Sequence, residues 1–182
     1  MLEHPFEPVV DEGCTVLVLG SFPSVKSREN GFYYGHPRNR FWPMLAAVYG
    51  EEVPADIPSR KALLLRRHIA LWDAALCCDA DGSMDRDIRN VIPTDLTPVL
   101  SRADIRLVLA NGALAGQLYR RYQQKAAGIP AVILPSTSPA NAAWSLQRLC
   151  RAWSNYLPGQ CYCSTNEFLK LDTAAEGVRD KE

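Results

Sequence analysis

The stretch VLVL at residues 16–19, followed by GSFPSVKSRENGFYYGHPRNRFW at residues 20–42, decides how this chain is read. Four apolar residues in a row, closed by a Gly/Ser/Pro turn, predict a buried strand, because the run is short and ends on turn formers. The turn opens a loop holding the aromatics Phe32, Tyr33 and Tyr34, then His36 and several amides. The loop closes on Asn39-Arg40-Phe41-Trp42, where a helical pattern begins. Open α/β sheets bind ligands in loops at the carboxyl ends of their strands. Aromatic faces beside amide side chains suit a flat, hydrogen-bonding ligand such as a nucleobase.

Outward from this stretch, the periodicity predicts a strand over 15–20, a pocket loop over 21–38 and helices over 39–50 and 60–67. A strand over 69–72 leads into a long connection through 104. A strand over 106–110, a helix over 113–124, a strand over 131–134 and a helix over 141–156 complete the pattern. Ser59 is a plausible N-cap for the second helix, and Gly50 and Gly128 suit helix C-termini. Strands separated by helices predict an α/β fold: three layers, α/β/α, around a central four-stranded parallel sheet. Residues 1–158 read as a single domain, and 159–182 as a C-terminal tail of weak periodicity.

With 182 residues, 47% hydrophobic and 22% charged, the chain can bury a real core. The formal net charge is zero. The segment from Pro158 carries five acids against three bases, so the rest of the chain is at +2. That charge excludes a strongly basic nucleic-acid coat but leaves room for a local basic patch. No apolar run is long enough to span a bilayer. Met1 to Asp11 is acidic and Pro-containing, unlike a signal peptide. The six cysteines (Cys14, Cys77, Cys78, Cys150, Cys161, Cys163) read as reduced thiols of a cytoplasmic protein, which we expect to be a monomer.

Several residues carry two readings. Asn39 is either a helix N-cap or an amide presented to the ligand. Tyr34 either packs in the loop or stacks on a base. His36 is a structural loop histidine or a donor to base or phosphate. Asn111 ends a strand before Gly112, as a simple turn or as a carboxamide reading a base edge. Asp73 stands at a strand end where it can approach the pocket, whereas Asp85 and Asp87 suit caps or surface. Cys77-Cys78 with Cys161 and Cys163 have poor spacing for zinc or an iron–sulfur cluster. Neither a nucleophile-elbow serine nor a dinucleotide or Walker loop is present.

The first stretch resembles motif 1 of the uracil-DNA glycosylase superfamily, in its Gly-x-x-Pro turn and its aromatic-x-x-His-Pro-x-Asn-Arg-Phe-Trp end. A second motif resembles the superfamily's Pro-Ser loop: Ala131-Val132-Ile133-Leu134, then Pro135-Ser136-Thr137-Ser138-Pro139-Ala140-Asn141. Leu107 to Gly112 resembles the inner strand that ends at the pocket. The mismatch-specific branch carries a catalytic Asn where this chain has Phe22, and other branches carry His or Asn where it has Leu134. Phe22, the second motif and Gly82-Ser83-Met84-Asp85 together look most like the hypoxanthine (deoxyinosine) DNA glycosylase branch.

The resemblance implies a monofunctional DNA glycosylase that excises a deaminated base in base-excision repair without metal or cofactor. Its partner is DNA containing that base. Asn39 and Asn111 are then catalytic. Ser21, Phe22, Tyr34 and His36 bind the base. Ser24, Ser136, Thr137, Ser138 and Asn141 contact DNA. Two alternatives remain: excision of uracil or thymine from mismatches, and a noncatalytic DNA-binding protein of the same fold. Phe22 and Leu134 favour the latter, whereas Asn39 and the aromatic pocket oppose it.

Overall fold

The computed structural model of the protein describes residues 1–80 and 88–159. In chain order its elements are β1 (Leu2–Glu3), β2 (Val16–Gly20), α1 (Val25–Glu29), α2 (Phe41–Tyr49), α3 (Ile57–Arg66) and β3 (Ile69–Asp73). There follow β4 (Ala75–Ala80), β5 (Ile88–Pro93), α4 (Thr97–Leu100), β6 (Leu107–Asn111) and α5 (Ala113–Leu118). A π-helical turn at Tyr119–Gln123 leads to α6 (Gln124–Ala127), β7 (Ala131–Leu134) and α7 (Leu146–Ser154).

The main sheet is parallel with strand order β3-β2-β6-β7, the four-stranded α/β arrangement expected. β2 lies inside it and is buried at every position, as a strand covered on both faces must be. The chain leaves β2 toward one edge (β3) and β6 toward the other (β7). Right-handed crossovers in opposite directions place α2 and α3 on one face and α5 on the other. α7 packs on α2. The loops after β2 and β6 therefore diverge at the switch point of the sheet, where a crevice opens.

The open edge of β3 does not stay bare. Val9 and Leu71 exchange backbone hydrogen bonds of 3.0 and 2.9 Å, and His4 N donates to Leu76 O at 2.8 Å. The N-terminal segment thus runs antiparallel along the edge and covers its unpaired backbone groups. This pairing carries His4 to the end of β3, beside Asp73.

Several boundaries differ from the expected ones. The connection after β3 contains β4 and β5, an antiparallel pair that β1 extends into a second, three-stranded sheet. Its register shifts between Ala75 and Cys77 and again between Cys77 and Asp79, which breaks the alternation that marks a strand in sequence. The helix expected from 60 begins at Ile57: Asp56, not Ser59, is its N-cap, and Ser59 Oγ returns a bond to the Asp56 N–H. The helix expected from 141 begins at Leu146, capped by Ser145. A five-residue helix, α1, lies within the segment expected to be loop. Gly50 and Gly128 do close their helices.

Candidate active site

A cavity of about 80 Å³ opens at the carboxyl ends of the parallel strands. Gly20 to Ser24, Tyr34 and Asn39 line it from the loop after β2, Asp73 from β3, Asn111 from β6, and Ser136 and Ser138 from the loop after β7. A Cβ on Gly20 would stand 2.0 Å from Asp73 Oδ1, so any other residue at this floor must displace that carboxylate. Gly112 has φ +103°, and a Cβ on it would come within 3.0 Å of the Ser136 Cβ. The loops after β6 and β7 meet this closely only because that residue is glycine.

Asn39 and Asn111 converge on one side chain, Thr137, which is fully buried. Asn111 Oδ1 accepts from Thr137 N at 2.9 Å, and its Nδ2 donates to Thr137 Oγ1 at 2.9 Å. The Thr137 hydroxyl donates in turn to Asn39 Oδ1 at 3.1 Å, and the Phe41 N–H donates to the same oxygen at 2.9 Å. These bonds fix the sense of both carboxamides. Asn39 Oδ1 is occupied by two donors, so the end of Asn39 left for the cavity is the Nδ2 donor. The capping reading and the ligand reading of Asn39 hold together: α2 has no side-chain cap from Arg40, and Asn39 supplies it from one residue upstream.

The loop after β7 is stapled from the first motif. Arg40 N and Nε both bond to Thr137 O, at 3.1 and 3.4 Å. Its guanidinium also donates to the carbonyls of Ser138, Asn141 and Trp144. Asn141 Nδ2 donates to Ser136 O at 2.9 Å, closing the loop on itself. Trp153 Nε1 holds Pro135 O at 3.1 Å. Arg40 is thus spent on carbonyls rather than offered to phosphate.

Tyr34 has φ +53°, a left-handed conformation that a non-glycine residue adopts at a cost. Its ring packs on Phe41 with centroids 4.1 Å apart. The ring is part-exposed on the cavity wall, while the hydroxyl is buried and makes no well-formed hydrogen bond among the described residues. Burial, and then the nearby Asp73 charge, push its pKa well above the ordinary tyrosine value, against a smaller opposing influence from Asn111. Tyr33 is pushed up for the same leading reason, and its hydroxyl donates to Glu7 O at 3.0 Å.

The remaining residues singled out in the sequence fall in three places. Ser21, Phe22, Ser24, Ser136 and Ser138 line the cavity; Ser24 also caps α1 through the Ser27 N–H. Phe22 places its ring edge-on to His4, 6.1 Å between centroids, with the Arg28 guanidinium 5.8 Å away. His36 lies outside the lining, its Nδ1 accepting from Arg38 N at 3.0 Å in a local turn. Thr137 and Asn141 sit behind the lining. α7 starts at Leu146, well beyond Ser138, so this loop is not a helix start. Asp85, Asp87, Cys161, Cys163 and the run from Gly82 lie outside the described residues. Among the described residues no three His, Cys, Asp or Glu side chains are grouped for a metal ion, and no helix is long and apolar enough to cross a membrane.

The model of the uracil DNA glycosylase superfamily matches residues 7–157. The chain belongs to that superfamily. Every lining residue just described falls within the matched span. Two curated relatives, both named hypoxanthine DNA glycosylase, come from Methanosarcina barkeri and Methanosarcina acetivorans. The first is 34% identical over 150 residues, covering 78% of this chain and 89% of the relative. The second is 33% identical over 153 residues, covering 81% and 94%. A solution NMR structure from Methanosarcina acetivorans, provisionally titled a uracil DNA glycosylase, superposes with a TM-score of 0.71 at 31% identity, covering 86% of this chain and 96% of its own.

Within this superfamily fold, sequence reasoning missed three residues. Arg40 was read as part of a helix start, yet it holds the second loop. Thr137 was grouped with its neighbouring serines, yet it orders both amides. His4 drew no attention, because nothing local in Leu2-Glu3-His4-Pro5 signals that it meets Asp73, 69 residues away.

Proposed function

We propose that this protein is a monofunctional DNA glycosylase that hydrolyses the N-glycosidic bond of a deaminated nucleotide, hypoxanthine in deoxyinosine above all, in base-excision repair. The observation that carries the reading is the Asn39 carboxamide. Its oxygen is held by Thr137 and Phe41, which leaves an N–H donor for the cavity. The names of the two archaeal relatives support the choice of base.

Extruding the nucleotide costs least when the base is mispaired. The base then enters the cavity beside Tyr34, whose ring is packed on Phe41. Ser24, Ser136 and Ser138, at the cavity rim, offer hydroxyls and backbone N–H groups to the DNA strand; Thr137 and Asn141 act by keeping that rim in shape. As the C1′–N bond lengthens, negative charge builds on the departing base. A fixed amide donor aimed at that charge, in a site sheltered from water, is typically worth about 10²–10³ in rate. Water adds to C1′ and its proton passes by way of solvent to the departing base, leaving neutral free base and an abasic deoxyribose. Asn111, bonded to Thr137 at both ends of its amide, serves chiefly to set the sense of this network.

The test is a panel of duplex oligonucleotides carrying deoxyinosine, deoxyuridine or a G:T mismatch, treated with alkali after incubation to cut abasic sites. Cutting is expected with deoxyinosine and to exceed that with the others. Binding without cutting on any substrate would favour the noncatalytic reading.

A further inference from the structure

Two polar groups converge above the Gly20 Cα, and the network around Asn39 uses neither. An added Gly20 Cβ would lie 2.0 Å from Asp73 Oδ1 and 3.2 Å from the Tyr34 hydroxyl. Asp73 is only 3% exposed, and its Oδ2 bonds His4 Nε2 at 2.9 Å. His4 Nδ1 accepts from the Phe6 N–H at 3.1 Å, so the imidazole proton sits on Nε2 and His4 is the donor to Asp73. The pair therefore needs no proton on the carboxyl group. Among the described residues Oδ1 has no hydrogen-bond donor, and the Tyr34 hydroxyl has no well-formed bond, because the Asn111 amide near it is already engaged by Thr137. Buried polar groups are almost always paired, so an unpaired hydroxyl beside a bare carboxylate oxygen at a cavity floor asks for a ligand.

We propose that Asp73 and Tyr34 together read the lactam edge of the extruded base, Oδ1 accepting its ring N–H and the hydroxyl donating to its carbonyl oxygen. The proposal rests on the base-excision reading and names how the base is chosen. Deamination replaces a ring-nitrogen acceptor beside an amino donor with a ring N–H beside a carbonyl. Adenine becomes hypoxanthine by that exchange. A carboxylate only accepts hydrogen bonds. It bonds the N1–H of hypoxanthine and repels the N1 lone pair of adenine. Sites built to hydrogen-bond a substrate reject an analogue that leaves their buried groups unpaired by about 10⁴–10⁵-fold. The pair separates a deaminated base from its parent, and leaves guanine and thymine, which share the lactam edge, to exclusion by the cavity walls.

The experiment compares the full-length wild type with Tyr34→Phe and Asp73→Asn. Three quantities are read: single-turnover release of hypoxanthine from a deoxyinosine duplex, thermal stability, and the relative affinity for duplexes carrying uncleavable 2′-fluoro-deoxyinosine or 2′-fluoro-deoxyadenosine. Tyr34→Phe is expected to release hypoxanthine about 10²-fold more slowly while melting no earlier than the wild type, since it discards an unpaired buried group. Asp73→Asn is expected to shrink the preference for inosine over adenosine by about tenfold or more, because its amide can donate to adenine N1. Wild-type rate and preference in both variants would overturn the proposal. So would a Tyr34→Phe rate loss matched by lost stability, which is the mark of a packing role. If Asp73→Asn does not fold, Tyr34→Phe decides alone. A wild type that releases no base removes the base-excision reading itself, and this proposal with it.

Discussion

Replacing Asn39 separates the two tasks its carboxamide performs. The oxygen accepts from the Phe41 N–H at 2.9 Å and from the Thr137 hydroxyl at 3.1 Å, and the nitrogen is left for the cavity. Asn39→Ala removes both. Losing the bond to the first turn of α2 costs about 0.5–2 kcal/mol, as for other N-terminal caps. At about 2–4 °C per kcal/mol for a chain of this size, melting should fall by several degrees. Asn39→Asp keeps an oxygen for Phe41 and Thr137, and its charge near a helix N-terminus adds about 0.3–1 kcal/mol. The Asp variant should therefore melt at or above the wild-type temperature. In the cavity, however, it presents an acceptor where the donor stood. Both variants should lower the single-turnover rate on deoxyinosine DNA by about 10²–10³-fold, or roughly 2.7–4 kcal/mol. The assay is quenched-flow or manual single turnover with enzyme in excess, alongside thermal melts and DNA binding. Opposite stability changes with equal rate losses are the expected signature. An Asp variant as fast as the wild type would show that the group orients water, and the donor argument would fall.

Further outcomes follow from the same contacts. Thr137→Val keeps the shape but leaves Asn39 Oδ1 and Asn111 Nδ2 each short of a partner; it should destabilise by about 1–3 kcal/mol and slow excision, while Thr137→Ser restores both, as melts and single-turnover rates will check. Arg40→Lys cannot reach the carbonyls of Thr137, Ser138, Asn141 and Trp144 together; faster amide hydrogen exchange confined to residues 136–144, with weaker binding to damaged and undamaged DNA alike, is the expected result. Burial holds Tyr33 and Tyr34 well above the ordinary value of 10.0. Burial likewise raises the Cys14 and Cys150 thiols from 9.0 to about 11. Stability should therefore begin to fall at about pH 9, as the unfolded chain loses thiol protons that the native state keeps, and above about pH 10 by a further ~1.4 kcal/mol per pH unit for each tyrosine. Urea unfolding at stepped pH measures this, and a stability that holds level to pH 11 would contradict the burial.

The parallel sheet was legible because each of its strands is a compact apolar run ending in Gly, Asp, Asn or Pro, and such runs need no knowledge of partners. The β4–β5 pair was not, because its two register shifts scramble the period-two pattern and Leu76 and Ile92 face outward. The start of α7 was misplaced because Asn141 and Ser145 both look like caps. Only the tertiary bond from Asn141 to Ser136 O shows that the first belongs to the loop. Asn39, Asn111, Tyr34 and the serines stood out as polar or aromatic residues at strand ends. His4, Arg40 and the clasp of Thr137 depend on contacts across 26 to 104 residues, which no local pattern encodes.

The central claim is that the protein releases a deaminated base through the Asn39 donor. It is tested most directly by quantifying free hypoxanthine, by mass spectrometry, after a deoxyinosine duplex is incubated with excess wild type or Asn39→Ala. The account predicts release matching the abasic sites formed by the wild type, and a rate about 10²–10³-fold lower in the variant. No free hypoxanthine from a folded, DNA-bound wild type, or equal rates from the two proteins, would contradict it.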